Sequence, residues 1–454
     1  MSAVAETALD LVGETPLVHV GGLDTGPCEL WLKLESQNPG GSIKDRIAVS
    51  MIAAAERQGR LGGRRRHLVE ATAGNTGLGL ALVAARRGYR LTLAIPDKMS
   101  REKVLHLGAL GAEVITTRSD VVKGHPEYYQ DLAERIARES GAFYVNQFAN
   151  PANPLAHETG TGPEIARQMD GRLDAMVCGV GSGGTLTGLS RFFARALPDC
   201  EMVLADPEGS VLAGYVHTGK IGVAGSWRVE GIGEDFVPPA CDLSRVRRAY
   251  TIPDAESFQA ARELLRHTGI LAGSSSGTLL AAALRYCREQ REPRRVCTLV
   301  CDTGNKYLSR MYDPAWLEAH GLLGEAPGET SDLLAAPRRA EPSWIAPADT
   351  LREAASRLRR LGLSALPVAE GGRLLGVVTE SQVLEAVLGG GTSLDRPASE
   401  VMAGQFGTVS PRTPLRELVP LLETSDVAIV AERGELRGVV TRLDVLAHLR
   451  AARS

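Results

Sequence analysis

Between residues 10 and 320 the chain alternates strand-like and helix-like segments, and the turns leading from strand to helix are repeatedly rich in glycine. Leu30–Leu34 reads as a strand and Arg46–Gln58 as an alanine-rich helix. His67–Ala71 is a short strand before the amphipathic helix Leu78–Arg87. Arg90–Ile95, closed by Pro96, is a buried strand followed by a helix over Ser100–Leu110 and a strand over Glu113–Thr117. This βαβα rhythm predicts an α/β fold with an open, mostly parallel sheet and helices on both faces. Such sheets bind ligands beyond the carboxyl ends of their strands, so function is to be sought in the strand-to-helix loops. Glycine fits that emphasis: it supplies 50 of 454 residues, above the usual share of about 7%.

Charge and composition narrow the classes. Lys+Arg 51 against Asp+Glu 54 leaves a net charge of −3, and aromatics are only 4%, so neither a basic face nor a base-stacking platform for nucleic acid is expected. Hydrophobic content of 44% supports large cores, and the length suits about three domains. The seven cysteines (28, 178, 200, 241, 287, 297 and 301) include no C-x-x-C, and Cys297 and Cys301 have no histidine at zinc-site spacing. They read as reduced core thiols, with no metal site. The N-terminus carries Glu6 and Asp10 rather than a signal pattern, and no uncharged apolar run reaches about 18 residues. A soluble, cytoplasmic protein with no membrane partner is the expectation.

The character changes from Gly324 to Pro342, a stretch with three prolines, mixed charge and little periodicity that reads as a linker. Beyond it Val368-Ala369-Glu370 and Gly376-Val377-Val378-Thr379 recur 62 residues later as Val430-Ala431-Glu432 and Gly438-Val439-Val440-Thr441. Each copy reads as a helix (Thr350–Leu361; Pro414–Glu423), two short strands around a turn, and a second helix. Units of about 60 residues are too small to bury a core alone, so the copies should pack on each other. The expected domains are residues 1–323, a linker 324–341, and the repeats 342–394 and 395–454.

Four loops carry the chemistry. In Asn38-Pro39-Gly40-Gly41-Ser42-Ile43-Lys44-Asp45-Arg46, a lysine stands at a helix start, where the helix dipole disfavours a cation. A lysine held there suits a lowered pKa and Schiff-base chemistry, the plain alternative being a solvated side chain beside a Ser42 cap. Thr72-Ala73-Gly74-Asn75-Thr76-Gly77 offers hydroxyls, an amide and helix-start N–H groups, a natural receptor for a carboxylate. Gly179-Val180-Gly181-Ser182-Gly183-Gly184-Thr185, between strand Asp174–Cys178 and helix Leu186–Ala196, lets backbone wrap an oxyanion such as phosphate. It also satisfies G-x-G-x-x-G, with Asp206 some 20 residues on at the end of strand Met202–Ala205, so a nicotinamide dinucleotide site competes. Leu271-Ala272-Gly273-Ser274-Ser275-Ser276-Gly277, before helix Thr278–Arg288, is a serine cluster or simply a capped helix.

Taken together, the loops resemble the β-family (fold type II) of pyridoxal-phosphate enzymes, the group containing cystathionine β-synthase and cysteine synthase. The resemblance covers about residues 8 to 320 and includes Gly13-Glu14-Thr15-Pro16-Leu17, Gly41–Arg46, Gly74–Gly77 and the Gly-Ser-Gly-Gly-Thr loop. It implies two open, twisted, mostly parallel sheets. Asp206–Ser210, Val229–Phe236 and Asn153-Pro154-Leu155-Ala156-His157 look like the cystathionine β-synthase branch, and the C-terminal repeat resembles a tandem pair of CBS domains, an α+β adenosyl-nucleotide-sensing module.

By that resemblance Lys44 bonds pyridoxal 5'-phosphate and serves as the acid/base at the substrate Cα. Gly181, Ser182, Gly183, Gly184 and Thr185 hold the phosphate, Asn75 the ring 3'-oxygen, and Ser275 the pyridine nitrogen. Thr72, Ala73, Gly74, Thr76 and Gln147 hold the substrate carboxylate. The implied lyase reaction is β-replacement in transsulfuration, condensing L-serine or O-acetylserine with L-homocysteine to give L-cystathionine. Cysteine synthase with sulfide and a serine/threonine dehydratase stay open. Ala73 replaces a serine of many relatives, Glu234 an aromatic of the animal enzyme, and Phe148 follows Gln147 as in cysteine synthases. With about a dozen residues before Gly13, no haem-binding extension is expected. In the repeat, Thr441 and Asp444 match the hydroxyl and carboxylate that hold a ribose in CBS domains, whereas the first copy has Thr379 with Gln382. One site for S-adenosylmethionine or an adenine nucleotide, and a homodimer or homotetramer, are the corresponding expectations.

Overall fold

A computed structural model describes residues 4–72, 74–97, 101–118, 120–121, 124–322, 328–334, 344–388, 394–404, 407–424 and 427–451. The chain divides into two units, Met1–Leu322 and Leu323–Ser454.

The first unit holds two sheets. In the larger, the strands run in the order β1 (Leu17–His19), β2 (Glu29–Lys33), β10 (Arg295–Leu299), β7 (Ala175–Cys178), β8 (Glu201–Pro207), β9 (Val246–Ile252). All its pairings are parallel except β1 on β2. The smaller sheet, β5 (Glu113–Thr117), β4 (Arg90–Pro96), β3 (His67–Ala71) and β6 (Phe143–Tyr144), is parallel throughout. Central strands such as β7 are buried along their whole length, as two-sided coverage by helices requires. The mostly parallel, two-sheet α/β expectation therefore holds.

The helices begin earlier than their apolar periodicity suggests. They start at Lys44 rather than Arg46, at Asn75 rather than Leu78, at Gly184 rather than Leu186, and at Ser274 rather than Thr278. The first-turn N–H groups have no intrahelical partner, so polar and glycine residues can fill that turn while looking like loop. Helices Lys44–Arg57 and Asn75–Arg87 share a core that includes Ile47, Met51, Leu78 and Leu80, all fully buried. Gly79 makes their close approach possible, since a Cβ there would sit 3.0 Å from the Lys44 carbonyl oxygen. Among the described residues no helix is long and apolar enough to cross a membrane.

In the second unit a five-stranded sheet runs β11 (Ala365–Glu370), β12 (Arg373–Thr379), β15 (Glu435–Thr441), β14 (Val427–Glu432), β13 (Thr408–Val409). Each repeat forms a helix, two antiparallel strands and a helix, with the second copy's strands 62 residues after the first's. A bulge interrupts the ladder at Val368/Ala369 and again at Val430/Ala431. Where β12 meets β15, the Leu374 N–H donates to Gly434 O and the Leu436 N–H to Gly372 O. The stretch read as a linker contains a helical turn, Thr330–Leu334, whose Leu333 packs with Leu415 and Leu418 of this unit. Composition hid it because a five-residue turn is too short to show a period.

Candidate active site

The turn after β2 delivers Lys44. Gly41 adopts φ +73, the Gly40 N–H donates to the Asp45 carboxylate (2.5 Å), and the Ile43 N–H donates to Cys301 O (2.9 Å) in the loop after β10. Lys44 is the first helical residue and lines a cleft with Asn75, Gly181, Ser275 and Cys301. Burial pulls its ammonium below the ordinary lysine value, against the opposing pull of Cys301, Asp302 and Glu234. A lysine so placed spends more time as a neutral amine, the form that attacks an aldehyde. Burial raises Asp45 to about 6.

Opposite stands the third glycine loop, with Gly181, Ser182, Gly183 and Thr185 lining the same cleft. Gly183 caps helix Gly184–Ala196 at φ +85, and a Cβ on Gly181 would lie 2.4 Å from Gly231 O. Gly184 stands just behind, its missing side chain replaced by Asn153. Asn153 Nδ2 donates to Gln147 O (2.8 Å) and to Ser182 Oγ (2.9 Å). With both amide protons used, Ser182 accepts from behind and keeps its own proton to donate elsewhere. His157 Nε2 lies 3.3 Å from Thr185 Oγ1, in a π-helical turn of the kind enriched at functional sites. Burial, then Arg46 and Lys44, hold His157 well below its usual pKa, so it is neutral.

Asn75 and Ser275 complete the cleft, with Cys301 beside Ser275. Burial pushes the Cys301 thiol up to about 12, which keeps it protonated. Thr72, Gly74, Thr76 and Gln147 form a neighbouring cluster at the ends of β3 and β6. The Thr76 hydroxyl donates to Gln147 Oε1 (2.7 Å), Gln147 Nε2 to Ala71 O (3.1 Å), and the Gly74 N–H to Thr72 Oγ1 (3.1 Å). Ala73 lies outside the described residues. Of the cysteines read as core thiols, Cys241 and Cys301 are only partly buried.

Under this cluster Glu70 is fully buried, accepting from the N–H groups of Ala71 (3.0 Å) and Gln147 (3.3 Å), and burial raises it to about 8. In the unfolded chain its pKa is about 4.3. Between those values the folded state holds the extra proton, so stability falls as pH rises, by up to about 1.4 kcal/mol per pH unit, and levels off above pH 8. Melting curves from pH 5 to 9 should show this slope in the wild type and lose it in Glu70→Gln; equal slopes would refute the assignment.

Asp206 does not serve the glycine loop. It is fully buried and its Oδ2 accepts the Ala213 N–H (2.8 Å), capping the helix Leu212–Thr218. The dinucleotide reading of G-x-G-x-x-G loses its ribose-binding acid. In the second unit, the Thr441 hydroxyl and N–H both donate to Asp444 Oδ2 (2.7 and 2.8 Å), and Thr379 with Gln382 repeats the arrangement. Sequence reasoning gave no role to Asp302, Lys306, Asn153 or Glu70. An acid three residues after the apolar strand Arg295–Leu299 was the available signal for Asp302.

Residues 8–302 match the family of pyridoxal-phosphate dependent enzymes, and residues 336–389 and 398–451 each match the CBS domain. The chain is 34% identical to a cystathionine β-synthase of Dictyostelium discoideum, over 98% of this chain and 92% of that protein. It is 37% identical to that of Saccharomyces cerevisiae over 83% of this chain and 80% of that one. Among solved structures, the O-acetylserine dependent cystathionine β-synthase from Helicobacter pylori superposes with a TM-score of 0.63 at 34% identity, covering 68% of this chain and 98% of that one. A hydrogen sulfide-producing enzyme from Fusobacterium nucleatum gives 0.62 at 34%, covering 67% and 100%.

Proposed function

The chain belongs to the cystathionine β-synthase family of pyridoxal-phosphate dependent enzymes, and from that premise we propose that it condenses L-serine or O-acetylserine with L-homocysteine to form L-cystathionine. The observation carrying this reading is that Lys44, Asn75, Ser275, Gly181, Ser182, Gly183 and Thr185 line one cleft. The donor set fits the cofactor: an amine of lowered pKa for its aldehyde, helix-start N–H groups and two hydroxyls for its phosphate, an amide and a hydroxyl for the ring. When bound, pyridoxal phosphate supplies a carbon that bonds amines and a ring that takes up the electron pair left at the substrate Cα.

The chain's own residues do the rest. Lys44 Nζ takes the proton from Cα, which lets the β-substituent leave, and returns it after the thiol has added at Cβ. Thr72, Gly74, Thr76 and Gln147, with Ala73 between them, hold the substrate carboxylate. The uncharged Ser275 hydroxyl leaves the ring nitrogen largely unprotonated, which favours elimination and replacement at Cβ over transamination. In the second unit, Thr441 and Asp444 hold the ribose of S-adenosylmethionine or an adenine nucleotide. A homodimer or homotetramer in the cytoplasm, acting on small amino acids, belongs to the same proposal and rests on the family resemblance.

A second reading is cysteine synthase, with O-acetylserine as donor and sulfide as acceptor, and Phe148 directly after Gln147 favours it. A product assay decides between them. Enzyme is given serine or O-acetylserine with homocysteine or sulfide, with and without S-adenosylmethionine and adenosine monophosphate. Cystathionine should dominate and at least one effector should change its rate. Mainly cysteine from sulfide would reverse the choice of acceptor, and an unchanged rate together with no heat of binding would leave the CBS pair structural.

A further inference from the structure

Lys306 ends the helical turn Gly304–Lys306 in the loop after β10 and is only 8% exposed. Its ammonium donates to Gly40 O (3.2 Å), Gly41 O (3.4 Å) and Asn75 Oδ1 (2.8 Å). On the other side of the same amide, Asn75 Nδ2 donates to Asp302 Oδ2 (2.8 Å), an oxygen that also accepts the Tyr307 hydroxyl (2.7 Å). Asp302 is fully buried. An asparagine amide can ordinarily turn over and exchange its oxygen for its nitrogen. Here a cation holds the oxygen and a carboxylate holds the nitrogen, so the flipped form would set like charge and dipole against each other at both ends. One Nδ2 proton goes to Asp302, and the second remains for the cleft that Asn75 lines.

We propose that Lys306 is a positioning residue of the reaction: it locks Asn75 as a hydrogen-bond donor to the cleft and, through the Gly40 and Gly41 carbonyls, ties that amide to the turn that delivers Lys44. The proposal rests on reading the cleft as the pyridoxal-phosphate site. There, a donor backed by a fixed positive charge favours the ionised form of the ring oxygen it meets. The same ammonium bonds the glycine turn, so cofactor orientation and the placement of Lys44 depend on one side chain. Loss of Lys306 leaves Asp302 alone to hold the amide, and any turn of it presents its oxygen, which repels that ring oxygen.

The test uses the full-length protein stripped of cofactor and titrated with pyridoxal 5'-phosphate, with dissociation constant and absorbance spectrum as readouts. Lys306→Met should weaken binding about 10-fold or more, the scale of a lost hydrogen bond to a charged group. It should also move the bound cofactor from the yellow band of an ionised ring oxygen toward the near-ultraviolet band of a neutral one. Lys306→Arg, which keeps the charge, should retain the yellow band. In an Asn75→Ala background, Lys306→Met should add little to the spectral change, because its effect passes through Asn75. If Lys306→Met does not fold, Lys306→Gln takes its place. A spectrum and affinity unchanged from wild type, or spectral effects that add in the double variant, would overturn the inference. Failure of the wild-type protein to bind the cofactor would instead overturn the reading on which it rests.

Discussion

Replacing Lys44 with alanine is expected to reduce β-replacement by at least about four orders of magnitude under every donor and acceptor, the scale seen when a reacting group is removed. Lys44 is the amine in the cleft, and burial already biases it toward the neutral form that both bonds a carbonyl and takes a proton. Lys44→Arg should be no better, since a guanidinium neither deprotonates nor fits an amine's place in that chemistry. The melting temperature should change little, because among the described residues no hydrogen bond or ion pair joins Lys44 Nζ to another element, and the Gly181–Thr185 loop should still retain some cofactor. Turnover is measured as product formed per enzyme, beside the absorbance of the bound cofactor. Activity within tenfold of wild type would remove Lys44 from the reaction.

The second large effect is on stability. Two residues beyond Lys44, Arg46 donates through Nε to Glu35 Oε2 (2.6 Å), and through Nη1 and Nη2 to Glu164 Oε1 and Oε2 (2.7 Å each). Lys33 Nζ donates to the same Glu164 Oε2 (2.7 Å), to Thr15 O (2.7 Å) and to Gln168 Oε1 (2.9 Å). The four charged side chains are at most 6% exposed and balance one another. Arg46→Met removes one charge and strands Glu35 and a half-paired Glu164 away from water. Loss of one partner of a buried pair typically costs about 3–5 kcal/mol, which for a unit of this size lowers the melting temperature on the order of 10 °C. Glu164 is held down to about 2 by Arg46 and Lys33, overcoming its burial. Its contribution is therefore present above the ordinary carboxylate range and fades as pH falls toward 2, so the variant and wild type should converge in strong acid. Calorimetry from pH 2 to 7 checks both statements; a loss below about 1 kcal/mol at pH 7 would mean the network is not held together by Arg46.

What sequence made legible and what it did not follow from the range of the forces involved. The turns bearing Lys44, Asn75, Gly181–Thr185 and Ser275 stood out because glycine and polar residues between apolar runs are a local signal. The 62-residue repeat was equally plain, since a period needs no structure to be seen. Helix starts were placed two to four residues late, because a first turn has no intrahelical N–H partner and leaves no apolar mark. Asp302, Lys306 and Asn153 gain their meaning from partners such as Asn75 and Ser182, tens to hundreds of positions away, and no local pattern announces such a pair. The Asp206 reading failed for a related reason: spacing gives the residue's distance along the chain, while the fold turns its carboxylate onto Ala213.

The meeting of β12 with β15 is symmetric. The two reciprocal bonds join Leu374 to Gly434 and Leu436 to Gly372, and each of these residues is 62 positions from its counterpart in the other copy. The ladder register agrees, Arg373 lying opposite Glu435, its own equivalent. A contact in which every residue faces its counterpart with the bonds exchanged is the signature of a twofold axis between identical subunits. The two copies are therefore related by an internal twofold axis and present the same edge to each other, along with the bulge that both share. The symmetry is not complete: Gln382 stands in one copy where Asp444 stands in the other.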